Sequence, residues 1–408
     1  MHALFLAVLA LTGLQAAAFP SALLGGEVDA EKTKRFTQAV ANMEPRQVPG
    51  GNAPGRFNAQ QQLVSTTGTH RFIAPRPGDQ RGPCPGLNAM ANHNYIPRNG
   101  VATAGQFIKG CMDVYGMGLD LATFLAEIGA VVSGDLVGLL GRPRGISFSH
   151  NKYEADCSPT RGDYFQYGGN AYKLQLSQFQ ELYDEPLGAN GYDVPAMARF
   201  HVKRFRQSKE NNPYFLHSSG ALIVSSATFS FIYRFMGNKS ADYPQGYLNQ
   251  DVLKSFFAIT GEPGNFQYTQ GHERIPDNWY KRAVGDEYNL VYFAKDLSDV
   301  LVAHPELIAL GGNLGQVNTF AGVDIGNLTG GVYNAQNLAQ GNNAACLGFQ
   351  LIQLLTPDIV KGLYSLLSQP LARLNDALGN ALYPLNCPQL QEIDTDRLNQ
   401  FPGASLRS

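Results

Sequence analysis

Cys84 is the residue whose setting could support the most chemistry. It stands in Arg81-Gly82-Pro83-Cys84-Pro85-Gly86-Leu87-Asn88-Ala89, at the mouth of an expected helix. Pro83 and Pro85 each fix a backbone angle beside the sulfur. Pro85 also suits the first helical position, where a missing N–H costs nothing. The N–H groups of Gly86, Leu87 and Asn88 would then be unpaired and turned toward the cysteine side chain, which stabilises a thiolate and lowers its pKa. Such a thiolate can ligate iron, its electron donation tempered by those donors. A buried free cysteine in a Pro/Gly turn is the other account of Pro-Cys-Pro.

A second chemical stretch runs from Ser149 to Asp163. Glu154, Asp156, Ser158 and Arg161 fall within eight residues and make either a hard-oxygen cation site or a capped turn. Asp156 and Arg161 are close enough in sequence to pair and brace the loop. Two other patterns are discounted. Gly110 to Gly118 follows no strand, as a dinucleotide loop should, and His272-Glu273 has no second histidine at helical spacing, as a zinc signature needs.

The twenty residues from Arg81 to Gly100, including Ala91-Asn92-His93-Asn94-Tyr95-Ile96-Pro97-Arg98-Asn99, resemble the proximal-ligand segment of fungal haem-thiolate peroxidases, the chloroperoxidase and unspecific peroxygenase family. The resemblance covers about residues 65 to 390. It implies a mostly α, single haem-enclosing helical domain of chloroperoxidase type with few short strands. It makes Cys84 the fifth ligand of the iron of haem b and places Ala89 against that cofactor. The implied reaction oxidises or oxygenates a small hydrophobic or aromatic molecule with hydrogen peroxide, and a role in fungal secondary metabolism fits. Halide oxidation is a variant of the same chemistry; a haem-binding protein with little activity is the alternative class.

The resemblance has a second signature at Glu154-Ala155-Asp156-Cys157-Ser158. It implies a magnesium ion held by Glu154, the carbonyl of Ala155 and Ser158 against a haem propionate, with Tyr153 lining the substrate channel. A divalent ion would neutralise a propionate that otherwise faces a carboxylate. His272-Glu273-Arg274-Ile275-Pro276 is the counterpart of a Glu-Arg-Leu-Pro motif. Cys346 and Cys387 match a C-terminal disulfide of the long peroxygenases, worth roughly 4 kcal/mol by the chain-entropy estimate. Cys111 and Cys157 are then free and buried, or bonded to each other.

The sequence departs from the family where a distal acid–base should stand on a helix expected over Ser218 to Phe235. Between Glu210 and Asp242 there is no Asp or Glu. In register, Ala221 falls where the family has an arginine and Thr228 where it has the glutamate. A threonine hydroxyl passes a hydrogen bond but holds no proton at neutral pH, so peroxide cleavage should slow by about 10²- to 10⁴-fold. The substrate could bring its own acid, His217 could act as base, or the chemistry could differ. Phe231, with Phe229, would give the pocket an aromatic lining.

The remaining chain has to position these groups. Its 408 residues carry a formal charge of -2 and 44% hydrophobic residues, enough for one large core or two modest ones. No basic run points to nucleic acid. Residues 1–18 read as a secretory signal, its apolar stretch from Ala3 to Leu11 being too short to span a membrane comfortably. A secreted product follows, with sequons at Asn238 and Asn327. Residues 19–64 form an N-terminal extension and linker, 65–390 the domain and 391–408 a C-terminal tail. Amphipathic helices are expected over 106–140, 172–183, 193–206 and 347–382, the third with Asp193 as N-cap and a solvated row of Arg199, Lys203, Arg204 and Arg206.

Overall fold

A computed structural model describes residues 57–133, 150–350 and 388–406, apart from 152, 153, 335, 339, 341, 342, 344, 345, 348, 349, 389, 391 and 395. The expected signal, Tyr153, Cys387 and most of the expected helix over 347–382 therefore lie outside the described residues. The described helices of seven residues or more are α1 (Pro85–Asn92), α2 (Ala104–Tyr115), α3 (Leu119–Ser133), α4 (Leu176–Tyr183), α5 (Val194–Asn211), α6 (Ser219–Met236), α7 (Gln250–Phe256) and α8 (Leu290–Ala303). The strands are two residues long, so the fold is helix-dominated, as expected. Among the described residues no helix is long and apolar enough to cross a membrane.

Side-chain caps fix where the helices begin. Asp193 accepts from Ala196 N ahead of α5, Ser218 from Ala221 N ahead of α6, Asn249 from Val252 N ahead of α7 and Asn289 from Tyr292 N ahead of α8. Thr103 and Gln106 close a reciprocal capping box on α2, which ends at Gly116 with φ of 63°. The core forms where α5 packs on α6, α6 on α8, and α2 on α3. Two buried polar anchors hold α6. Arg234 grips Asp296 of α8 through two N–H groups at 2.7 and 2.6 Å, and Trp279 Nε1 donates to Met236 O at 2.8 Å.

A small antiparallel sheet starts α6. Leu216–His217 (β1) pairs with Gly311–Gly312 (β4), which pairs with Ala321–Gly322 (β5). Glycine is required at 311, where a Cβ would lie 2.1 Å from Ala321 O. Ile259–Thr260 (β2) and Gln267–Tyr268 (β3) form an antiparallel hairpin closed by residues 261–266.

Both ends of the described chain pack onto the body. Gln62 Nε2 donates to Lys281 O at 2.8 Å and Val64 N to Trp279 O at 3.1 Å. Near the other end Phe401 and Ala404 are buried, and Asn151 Nδ2 donates to Gly403 O at 2.9 Å. Cys111 and Cys157 are both free, which excludes the bond between them, although Cys111 is only half-buried. Cys346 is disulfide-bonded. The expected basic row does not face solvent as a whole. Arg199, Lys203 and Arg206 pair at the surface with Glu185, Glu181 and Glu306. Arg204 turns inward and donates to Ser158 O at 3.1 Å, because the 154–163 loop packs over α5 and leaves that carbonyl to satisfy.

Candidate active site

Cys84 is the N-cap of α1, with φ of -82° and ψ of 110°, and Pro85 occupies the first turn. The N–H groups of Leu87 and Gly86 favour negative charge on its sulfur, as the sequence suggested, though neither caps it with a hydrogen bond of normal geometry; Asn88 N instead donates to Cys84 O at 3.2 Å and begins the helix ladder. The net shift of the thiol pKa is upward, against the expected lowering. Burial raises it, and the Leu87 and Gly86 N–H groups with Arg161 pull downward without reversing the rise.

The cysteine turn is held from three sides. Asn88 bonds both backbone groups of Gly82, accepting from its N–H at 3.0 Å and donating to its carbonyl at 2.9 Å. Arg161 donates through Nε and Nη2 to Pro83 O at 3.0 and 2.8 Å. It therefore braces the cysteine turn, and the expected pairing with Asp156 is absent. One turn further along α1, Asn92 Nδ2 donates to the carbonyls of Gly271 and Glu273, both at 2.8 Å, and its Oδ1 accepts from Arg81. His93 bonds His70 O through Nδ1 at 2.7 Å and accepts from Ile275 N through Nε2 at 3.2 Å. Ala89, on the same helix, is wholly buried.

Glu154 Oε2 bonds His150 Nδ1 at 3.0 Å, whereas its Oε1 is buried with no hydrogen-bond partner. The Ser158 hydroxyl accepts from Arg161 N at 3.3 Å. Among the described residues no three His, Cys, Asp or Glu side chains gather as a metal site. Behind the loop, Asn212 Nδ2 bridges Asp156 and Asp163 at 2.9 and 3.1 Å. Burial, then Asp163, pushes the Asp156 carboxyl up to about 8. For His150 burial works against the cation, but Asp156, Glu154 and Asp163 more than offset it and raise its pKa. Sequence reasoning missed His150, Asn212 and Glu273. The i, i+4 spacing of His150 and Glu154 was the one local signal available.

On α6 thirteen of eighteen residues are buried, and those that are not are Gly220, Val224, Thr228, Phe231 and Arg234. The first four form a stripe at spacings of four, four and three, one face of the helix. Thr228 and Phe231 are on it, as expected, and it carries no acid or base. Thr228 Oγ1 donates to Val224 O at 2.8 Å. Phe231 packs on Phe235 and Phe293. Phe229 is not part of the stripe; it is buried against His201 and Phe200 on α5, on the opposite side of the helix. His217 is also off it, buried in β1 beside Phe205, with Nδ1 on Ala309 O at 3.0 Å. Among the described residues no hydrogen bond or ring contact joins Thr228 or Phe231 to the cysteine turn.

A family model described as peroxidase, family 2, matches residues 70–284, slightly over half of the chain. The chain belongs to this family. The dothistromin biosynthesis peroxidase of Dothistroma septosporum is 40% identical over 85% of this chain and 87% of its own length. An aromatic peroxidase of Fusarium equiseti is 37% identical over 99% of this chain and 98% of its own. An aromatic peroxygenase of Coprinellus radians is 32% identical over 54% of this chain and 90% of its own. The protein is thus an enzyme of the peroxidase and peroxygenase type, and its family implies haem held by a cysteine.

The docking of the 271–275 segment on α1 depends on a neutral His93. Its pKa is pushed down to about 4, chiefly by burial, with Arg274 and Arg98 further disfavouring the cation. A depressed base stabilises the fold fully above its unfolded pKa of 6.5, and that contribution is lost as pH falls toward 4. Between pH 6.5 and 4.5, His93→Gln should weaken the acid loss of unfolding free energy by up to about 1.4 kcal/mol per pH unit. Urea unfolding of both proteins across that range measures it; coincident slopes would mean that His93 is already charged when folded.

Proposed function

We propose that Cys84 is the cysteine that holds the haem iron, and that this peroxidase oxidises or oxygenates a small aromatic or hydrophobic molecule with hydrogen peroxide in fungal secondary metabolism. The observation that carries the assignment is the cap position of Cys84. Among the described residues three cysteines are free, and of these Cys84 begins a helix, the Leu87 and Gly86 N–H groups favouring its thiolate. The donor set fits a haem-thiolate ligand, and bound haem b supplies the redox chemistry that activates peroxide. The names of the Dothistroma and Fusarium relatives, a biosynthesis peroxidase and an aromatic peroxidase, support the substrate class. So does the uncharged stripe Gly220, Val224, Thr228 and Phe231.

Each part of the chain then has a task. Arg161 and Asn88 keep the cysteine turn in one geometry, and the stripe on α6 receives the apolar body of the substrate. Thr228 spends its hydroxyl proton on Val224 O, so it orients rather than shuttles protons. His217 sits among aromatic rings away from the stripe. A substrate bearing its own acidic group, a phenol or carboxylate, is therefore the best source of the proton that peroxide cleavage requires.

Two variants test this reading. Cys84→Ala should abolish the red-shifted Soret band of the reduced carbon monoxide complex; a folded variant that keeps the band would move the ligand to another residue. Thr228→Glu should speed peroxide consumption without organic substrate by about 10²-fold or more, the usual contribution of a positioned general acid–base. No gain in a folded, haem-loaded Thr228→Glu protein would show that position 228 is not at the peroxide site.

Secretion, glycosylation and a divalent ion at Glu154 complete the proposal. Asn327 is exposed, whereas Asn238 is half-buried and accepts from Tyr280 N at 2.8 Å, so Asn327 is the sequon open to a glycan. The unpartnered Oε1 of Glu154, with the Ala155 carbonyl and Ser158, supports a magnesium ion, in competition with the imidazole of His150. Native mass spectrometry of protein from culture medium should find a chain beginning near Phe19, sugar on Asn327, and one magnesium ion lost in Glu154→Gln. Retention of the ion by that variant would remove Glu154 from the ligand set.

A further inference from the structure

Glu273 has no task in the reading above, yet it is a charge enclosed beside Cys84. It is 0% exposed, and neither carboxylate oxygen makes a hydrogen bond of normal geometry among the described residues. Its backbone cannot drift. Asn92 holds its carbonyl, Arg274 N donates to Ser255 O at 3.0 Å, and Ile275 N donates to His93. A buried carboxylate without partners is costly and persists only where a nearby charge compensates it. Burial raises the pKa of the carboxyl, with Asn88 and Arg81 opposing that rise and Arg161 opposing it most. Its Nε and Nη2 are committed to Pro83 O, while Nη1 is buried without a partner. Both charges reach the sulfur of Cys84, Arg161 favouring negative charge there and Glu273 opposing it.

We propose that Glu273 and Arg161 are paired positioning residues that set how much negative charge the Cys84 sulfur passes to its iron. Arg161 draws charge toward itself and fixes the carbonyl that precedes the ligand; Glu273 holds that pull in check. Charges and hydrogen bonds around a ligating sulfur are a known lever on the potential of the metal behind it. The proposal rests on Cys84 as the ligand and deepens that reading by naming what regulates it.

The test uses the haem-loaded, full-length protein and two readouts besides activity: the ferric/ferrous potential and the C–O stretch of the reduced carbon monoxide complex. Glu273→Gln leaves the guanidinium unopposed, so the potential should become more positive and the stretch should rise. Arg161→Met leaves the carboxylate unopposed and should move both the other way. Glu273→Asp, which keeps the charge, should fall between wild type and Glu273→Gln. Shifts in one common direction, or none, would overturn the proposal. A Glu273→Gln protein that folds but no longer binds haem would overturn it too, because that exchange keeps shape and removes only charge. A wild-type protein without the thiolate band would instead remove the ligand assignment on which the pair depends.

Discussion

The proximal architecture turns on one carbonyl oxygen, that of Pro83. It sits in a turn where neither Pro83 nor Pro85 has an N–H, so the local backbone offers few donors with which to fold against itself. Arg161 supplies two from 78 residues away. That contact ties the 154–163 loop to the cysteine turn and fixes the direction in which α1 begins. The N–H groups of Gly86 and Leu87 can then stay near the sulfur and favour its negative charge. Asn88 and Asn92, four residues apart on one face of α1, extend the same logic by satisfying the carbonyls of Gly82, Gly271 and Glu273. The cysteine is thus positioned by polar contacts from two remote segments, the 154–163 loop and residues 271–273, and packing alone would not define its geometry.

What could be read from the sequence was what is local. Pro-Cys-Pro-Gly placed a cysteine at a helix start, Asp193 caps the helix it was expected to cap, and the helix expected from Ser218 starts one residue later with Ser218 as its cap. The stripe carrying Thr228 and Phe231 followed from the helical period once the helix was placed. The misreadings share a cause. Asp156 and Arg161, five residues apart, looked like a pair, but each found a better partner far along the chain, Asn212 for one and Pro83 O for the other. Arg204 looked like one member of a solvated row because nothing local shows that a loop will cover it. Phe229 and Phe231 are two residues apart and so face different sides of α6.

The two helices that meet the candidate site differ in what they spend. α1 begins in a dense set of charge and hydrogen bonds: Arg81, Arg161, Glu273 and two asparagines lie on or against it. α6 presents a stripe with no ionisable side chain between Gly220 and Phe231, and the cation that follows, Arg234, is fully engaged with Asp296. Buried charge is costly, and here that cost falls on the cysteine turn rather than on α6.

That distribution has a mechanistic consequence. Peroxide cleavage is aided from two directions: electron density pushed through the axial ligand, and a proton handled at the oxygens by a positioned acid–base. With Cys84 as the ligand, this chain keeps the first aid and builds an elaborate setting to regulate it, while α6 lacks the second. On the proposed reading, the proton arrives with a molecule that binds along the stripe. Such an enzyme is slow toward peroxide alone and faster when a substrate of the right shape and acidity is present, which couples oxidant use to substrate binding. Selectivity thereby comes from an omission on α6: without a resident acid, peroxide has little to react with until the partner molecule is in place.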